Sequence, residues 1–151
     1  MIDERDPSMW PLLASESVSF TIRGEPASKA NSRSIVTIND RPSSIKSAKA
    51  RSFEAIAMLQ IPASAKRMFS GPVGVALDIF YASRRPDLDE SVVLDALQAK
   101  FTGIGAKRKL VRAGVYLNDR QVFDKRVRKG LDPQNPRVEI TVTQLGQGEL
   151  L

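Results

Sequence analysis

Val73-Gly74-Val75-Ala76-Leu77-Asp78-Ile79-Phe80-Tyr81, running on into Ala82-Ser83-Arg84-Arg85-Pro86-Asp87-Leu88-Asp89-Glu90, is the stretch that decides the fold. Side chains alternate across a strand, so Val73, Val75, Leu77, Ile79 and Tyr81 share one face. Gly74, Ala76 and Phe80 allow the other face to be covered too. A polar, proline-containing loop follows, and then an apolar helix from about Ser91 to Gln98 or Phe101. A buried strand feeding a helix predicts a sheet with helices packed on it.

Upstream, Ser17–Arg23 alternates with Val18, Phe20 and Ile22 on one face and reads as a half-buried strand. Gly24-Glu25-Pro26 breaks it, and a short apolar run, Ile35 to Ile38, ends in the turn signal Asn39-Asp40-Arg41-Pro42. Ser43 or Ser44 is a candidate cap for a helix to about Gln60, with Ile45, Ala48, Phe53, Ile56 and Leu59 on one face, and Pro62 ends it. Downstream, the glycine- and lysine-rich Thr102–Arg112 connection is predicted to be mobile. Val115-Tyr116-Leu117 reads as a short strand. Asn118-Asp119-Arg120 turns into Gln121–Arg128, where Phe123 and Val127 face the core and Asp124, Arg126 and Arg128 face water. Arg137–Thr143 is the last strand, with Val138, Ile140 and Val142 inward. The reading is one α/β (α+β) domain over 17–144, a mixed β-sheet with two main helices packed on it. Residues 1–16 read as a flexible arm and 145–151 as a frayed tail.

Composition then limits the chemistry. The chain has 151 residues and 42% hydrophobic content, enough for one real core. No apolar run approaches the roughly 18–20 residues that span a bilayer, and the acidic start (Asp3, Glu4, Asp6) is unlike a signal peptide, so the expectation is a cytoplasmic protein without a membrane partner. With no histidine and no cysteine, a Ser-His-Asp triad, a thiol nucleophile and a thiolate or imidazole zinc site are all excluded. Carboxylates, lysines, hydroxyls and a hard cation held by oxygen are what an enzyme could use here.

The net charge of +6 is local. Residues 107–129 hold nine basic and two acidic side chains, a net of +7, which leaves about −1 for the other 128 residues. A focused positive region suits a polyanion and points to nucleic acid. A lysine-protected strand edge would produce the same run.

Asp87 and Asp89 stand two apart, so in an extended chain both carboxylates face one way. Such a pair is costly without a cation between them, and Mg²⁺ takes one or two carboxylates. Asp119, in a turn between two strands, is the natural third ligand if those strands lie beside the one that ends near Tyr81. Each also has a plainer reading, Asp89 as a helix cap and Asp119 as a turn residue. Glu90 could replace a ligand or simply favour the first helical turn; Asp95 and Asp124 read as solvated, and Asp78 as needing a partner.

Arg85-Pro86-Asp87-Leu88-Asp89 with Leu94-Asp95-Ala96-Leu97 resembles the core motif of RusA-type Holliday junction resolvases. Gly114-Val115-Tyr116-Leu117-Asn118-Asp119-Arg120-Gln121-Val122 is similar to that family's second motif. The opening Gly24-Glu25-Pro26 with Lys29-Ala30-Asn31-Ser32-Arg33, and the close Lys129, Pro136-Arg137 and Val138-Glu139-Ile140, keep the family's order from about residue 17 to 144. The resemblance implies a homodimeric endonuclease, often phage-carried, that holds Mg²⁺ or Mn²⁺ on Asp87, Asp89 and Asp119. It would cut branched DNA, the four-way junction of recombination and repair, in paired strands. Lys29, Arg33, Arg84, Arg85, Lys107 and Lys109 become candidate DNA contacts, as do Arg120, Lys125, Arg126, Arg128 and Lys129. Two departures stand out. Glu90 replaces the motif's Asn, and Ser91 or Val93 falls where the family carries a lysine, whose charge would be replaced by Lys29, Lys125 or a lysine of the 100–109 loop. That loop is also longer than usual for the family.

Overall fold

The computed structural model describes residues 16–28 and 33–146. Its elements are β1 (Ser17–Arg23), β2 (Arg33–Ile38), β3 (Arg41–Lys46), α1 (Ala48–Gln60), β4 (Val73–Tyr81), α2 (Ser91–Leu97), β5 (Lys100–Thr102), β6 (Lys109–Arg112), β7 (Val122–Leu131) and β8 (Arg137–Gln144). Single 3-10 turns occupy Ala63–Ala65, Gly105–Lys107 and Asp119–Gln121. No helix among the described residues is long and apolar enough to cross a membrane.

The main sheet has the order β1-β8-β4-β7. It is mixed, because β8 runs antiparallel to both β1 and β4 while β7 runs parallel to β4. Period-2 alternation holds across it: Leu77 stands between Ile140 and Val127, and Ile22 opposes Val138. Phe53 and Ala57 of α1 and Val93 and Leu97 of α2 join that face in one core. The opposite face carries small and polar groups and Phe80, whose ring lies under the Arg137 guanidinium, with Ser17 and Ser19 bonded to Thr143 and Thr141 at 3.1 and 3.0 Å. The expected mixed-sheet α/β domain with two helices is therefore present.

Several local expectations give way. Asn39 and Asp40 both have positive φ (52° and 61°), which makes a tight hairpin turn, and Arg41–Lys46 pairs back on β2. Ser43 and Ser44 are thus in a strand, and Ser47 caps α1 by accepting from the Ala50 N–H at 3.1 Å. With that later start the buried stripe is Ala50, Phe53, Glu54 and Ala57, while Ile56 and Leu59 are exposed. The 102–112 connection contains regular pairing, since Lys109–Arg112 returns on Lys100–Thr102 as a second hairpin, β5–β6. Phe123 is exposed instead of buried: Val73 pairs with Val122 but Gly74 with Asp124, so Phe123 is the extra residue of a bulge. Val115–Leu117 is no full strand; Tyr116 makes single bridges to Phe69 and Gln98. At the C-terminal end the Leu145 N–H still bonds to the Pro72 carbonyl, so the sheet's edge holds one residue of the expected tail. The rest of that tail from residue 147, and the arm through residue 15, lie outside the described residues.

Candidate functional site

The loop leaving β4 is tied down from both sides. Lys129 Nζ of β7 donates to the carbonyls of Pro86 (2.6 Å) and Arg84 (3.0 Å), and Glu25 accepts from the Ala82 N–H at 3.0 Å. Buried Tyr81 sends its hydroxyl toward the Asp87 carbonyl at 3.4 Å. Burial raises the pKa of that phenol, and the carboxylates of Asp89, Glu25 and Asp87 add to the rise. Asp87 is exposed, whereas Asp89 is buried and accepts from both the N–H (2.9 Å) and the hydroxyl (2.7 Å) of Ser91. Asp89 therefore caps the entry to α2, and Glu90 pairs with Lys125 at 2.7 Å, which lowers the Glu90 pKa.

Asp119 stands on a different support. Asn118 and Gln121 form a reciprocal capping box around its turn, and Gln121 Nε2 holds the carbonyls of Phe69 and Gly71 at 2.6 and 2.9 Å. The Asp119 N–H donates to Gln98 Oε1 at 3.1 Å, and Gln98 Nε2 donates to Asp95 at 2.8 Å. Nearby Tyr116 is buried, which raises its pKa, and the charges of Asp119 and Asp95 push it further. Its hydroxyl donates to the Leu94 carbonyl at 2.6 Å.

Between these walls lies a cavity of about 240 Å³ lined by Arg33, Lys46, Ser91, Val92, Asp95 and Asp119. The hairpin builds its cationic side: β2–β3 register places Arg33 directly opposite Lys46. Like charges side by side are unfavourable alone; the Arg33 guanidinium turns to the Ser44 hydroxyl and carbonyl at 3.2 and 2.7 Å, and acids gather around Lys46. Lys46 pairs with Asp95 and, at 2.6 Å, with Glu54; burial lowers its pKa, but the two carboxylates win and raise it. Glu54 also binds Lys100 and, at 3.3 Å, Arg112. Burial opposes its negative charge, yet Lys100 and Lys46 outweigh that and hold its pKa down at about 2.

Ser91 and Asp119 thus line one cavity and Asp89 accepts from Ser91, but the three predicted carboxylates are not assembled as one donor set. Among the described residues no group of three acidic side chains is placed to hold a metal ion. Asp87 and Asp89 bear on Tyr81, Asp119 and Asp95 on Tyr116. The residues present therefore do not fit a ready three-carboxylate Mg²⁺ site.

The candidate DNA contacts divide as well. Arg33 enters the cavity. Arg84, Arg85 and Arg120 are exposed, as are Lys107 and Lys109 on the β5–β6 hairpin. Lys125 and Lys129 lie on the core side of β7 and brace the acidic loop. Arg126 and Arg128 lie on the opposite face, where Arg128 pairs with Asp78 at 3.0 Å and supplies the partner that Asp78 needs. β7 is an edge strand of the main sheet, so its charges also guard that edge. Lys29 lies outside the described residues.

Sequence reading missed Lys46 and Glu54 and took Asp95 for a solvated residue. Glu54 did leave a trace, as a carboxylate inside the Ala50-Phe53-Ala57 stripe. The chain matches no family model and no curated protein.

Proposed function

We propose that this chain binds branched DNA and cuts it as an endonuclease of the RusA type. The observation that carries the reading is the cavity that Arg33 and Lys46 line together with Asp119, Asp95 and Ser91. Two cations held side by side by hairpin register are suited to a phosphate that displaces the acids from Lys46, and Lys46 lines the same cavity as Ser91, one of the two positions where the family carries its lysine. Asp119 and Asp89 are the acids to act beside that phosphate. Dependence on Mg²⁺ or Mn²⁺ belongs to the proposal, with no seat assigned to the ion. A homodimer would match paired cuts, since a twofold axis relates two sites.

The separation of the acidic pairs favours a second reading: a branched-DNA-binding protein of this fold that does not cut. One experiment decides. The protein is incubated with a labelled synthetic four-way junction and with linear duplex, with and without Mg²⁺ or Mn²⁺. Metal-dependent paired nicks confined to the junction, lost in Asp119→Asn and Asp87→Asn while binding persists, support the nuclease. Tight junction binding without nicks supports the binder, and no binding to either DNA sinks both. Lys46→Ala should weaken junction binding and reduce its salt slope by about one phosphate contact.

A further inference from the structure

The β5–β6 hairpin begins two residues beyond Gln98 and carries the candidate DNA contacts Lys107 and Lys109. Its base is clamped: Lys100 and Arg112 both pair with Glu54, and Arg112 Nη2 donates to the Gln98 carbonyl at 3.2 Å. Gln98 is the residue that receives the Asp119 N–H, so the hairpin springs from beside the Asp119 turn. Its tip is tightly made. Gly103 and Gly105 have positive φ, and a side chain on Gly103 would run into the Lys107 carbonyl. At the apex Ile104 is 91% exposed, and Leu110 and Val111 are exposed behind it. Lys107, Arg108 and Lys109 follow the apex with no acidic residue anywhere in 100–112. The Arg108 guanidinium lies over the Phe101 ring at 4.1 Å, a flat cationic surface of the kind on which bases stack.

We propose that this hairpin is a wedge that enters the branch point of the DNA, with Ile104 inserted between bases and Lys107, Arg108 and Lys109 on the flanking phosphates. The inference rests on the branched-DNA reading and deepens it by naming how the branch is told from a duplex. Apolar wedges pay to unstack an intact step, and that cost is least where stacking is already interrupted. Ile104 would thus discriminate by DNA shape without reading any base. A second copy of the chain is a poor occupant for this tip, because two such hairpins would bring three cations against three.

The test uses the full chain in EDTA, so that binding is read without cutting. A four-way junction carries 2-aminopurine beside the branch, and the same probe sits in a linear duplex. The wild-type protein should raise the fluorescence several-fold on the junction only. Ile104→Ser should abolish the rise and reduce junction-over-duplex preference by about tenfold, the worth of one apolar side chain removed from water, with duplex affinity unchanged. Lys107→Ala and Lys109→Ala should instead weaken both DNAs and each lower the salt slope by about one. No rise with wild type, or an equal rise with Ile104→Ser, overturns the wedge. So does loss of a dimer on Ile104→Ser in sedimentation, which would make the tip a self-association surface. A rise without Mg²⁺-dependent nicking leaves the wedge and removes the nuclease; nicking without a rise does the reverse.

Discussion

Leu77 and Glu54 are both buried, at 1% and 6% exposure, and they are held by opposite means. Leu77 sits in the middle of β4 with Ile140 on one side and Val127 on the other, so its place follows from the exclusion of apolar surface from water. Glu54 sits in the middle of α1 and keeps its charge only because Lys46, Lys100 and Arg112 reach it from three other elements. The sheet core needs volume, whereas the seam between α1, α2 and the two hairpins needs charges to meet. Substitutions should therefore fail differently in the two regions, and the sharpest contrast is in pH.

The largest effect is expected in the core. Leu77→Ala should cost about 2–5 kcal/mol through lost burial and the cavity left behind, read from the denaturant midpoint, and it should not depend on pH between 3 and 7. A cost that changes with pH would show that the core and the seam are not separable.

Glu54→Ala comes next, at about 1–3 kcal/mol, because buried groups lose a charged partner. The cost stays below that of a fully enclosed pair, since Lys46 and Lys100 are 27% and 43% exposed and can turn to water. Because its folded pKa is depressed to about 2, Glu54 stabilises the protein fully above the ordinary carboxylate value of 4.5 and loses that effect as pH falls toward 2. Thermal melts of wild type and Glu54→Gln should differ most above pH 5 and converge as the acid is approached. Curves that stay parallel would mean the clamp contributes nothing.

The smallest effect belongs to the outer face. The Asp78–Arg128 pair is 36% and 62% exposed, so a double-mutant cycle should give a coupling of roughly 0.5 kcal/mol that fades in salt. A coupling as large as the Glu54 effect would place the second face of the sheet under cover.

The same contrast explains what could be read in advance. β1, β4 and β8 announce themselves because a one-residue shift would expose every apolar side chain, so alternation is a direct print of the sheet. The entry to α2 and the Asp119 turn were also visible, since capping and turn chemistry act over two or three residues. The start of α1 was misread because Ser43, Ser44 and Ser47 offer the same local cap, and only pairing with Val36 and Ile35 removes the first two from competition. Phe123 was misplaced because alternation cannot show a bulge that depends on the register of Val73 and Gly74. Lys46 was invisible for a related reason: its acid partner Asp95 is 49 residues away, and nothing local in either segment marks the pair.

The strand order also shapes how the molecule is made. β8 is the last strand among the described residues yet occupies an interior place, between β1 and β4. Ser17 and its partner Thr143 are 126 residues apart. During synthesis, β1 has no strand to join in the main sheet, and β4 shows one bare edge, until residues 137–144 have left the ribosome. A nascent chain halted before Arg137 would carry the apolar faces of both strands without the strand that joins them. Residues 137–144 thus close the sheet, and a chaperone that holds β1 and β4 until they emerge would guard its most vulnerable interval.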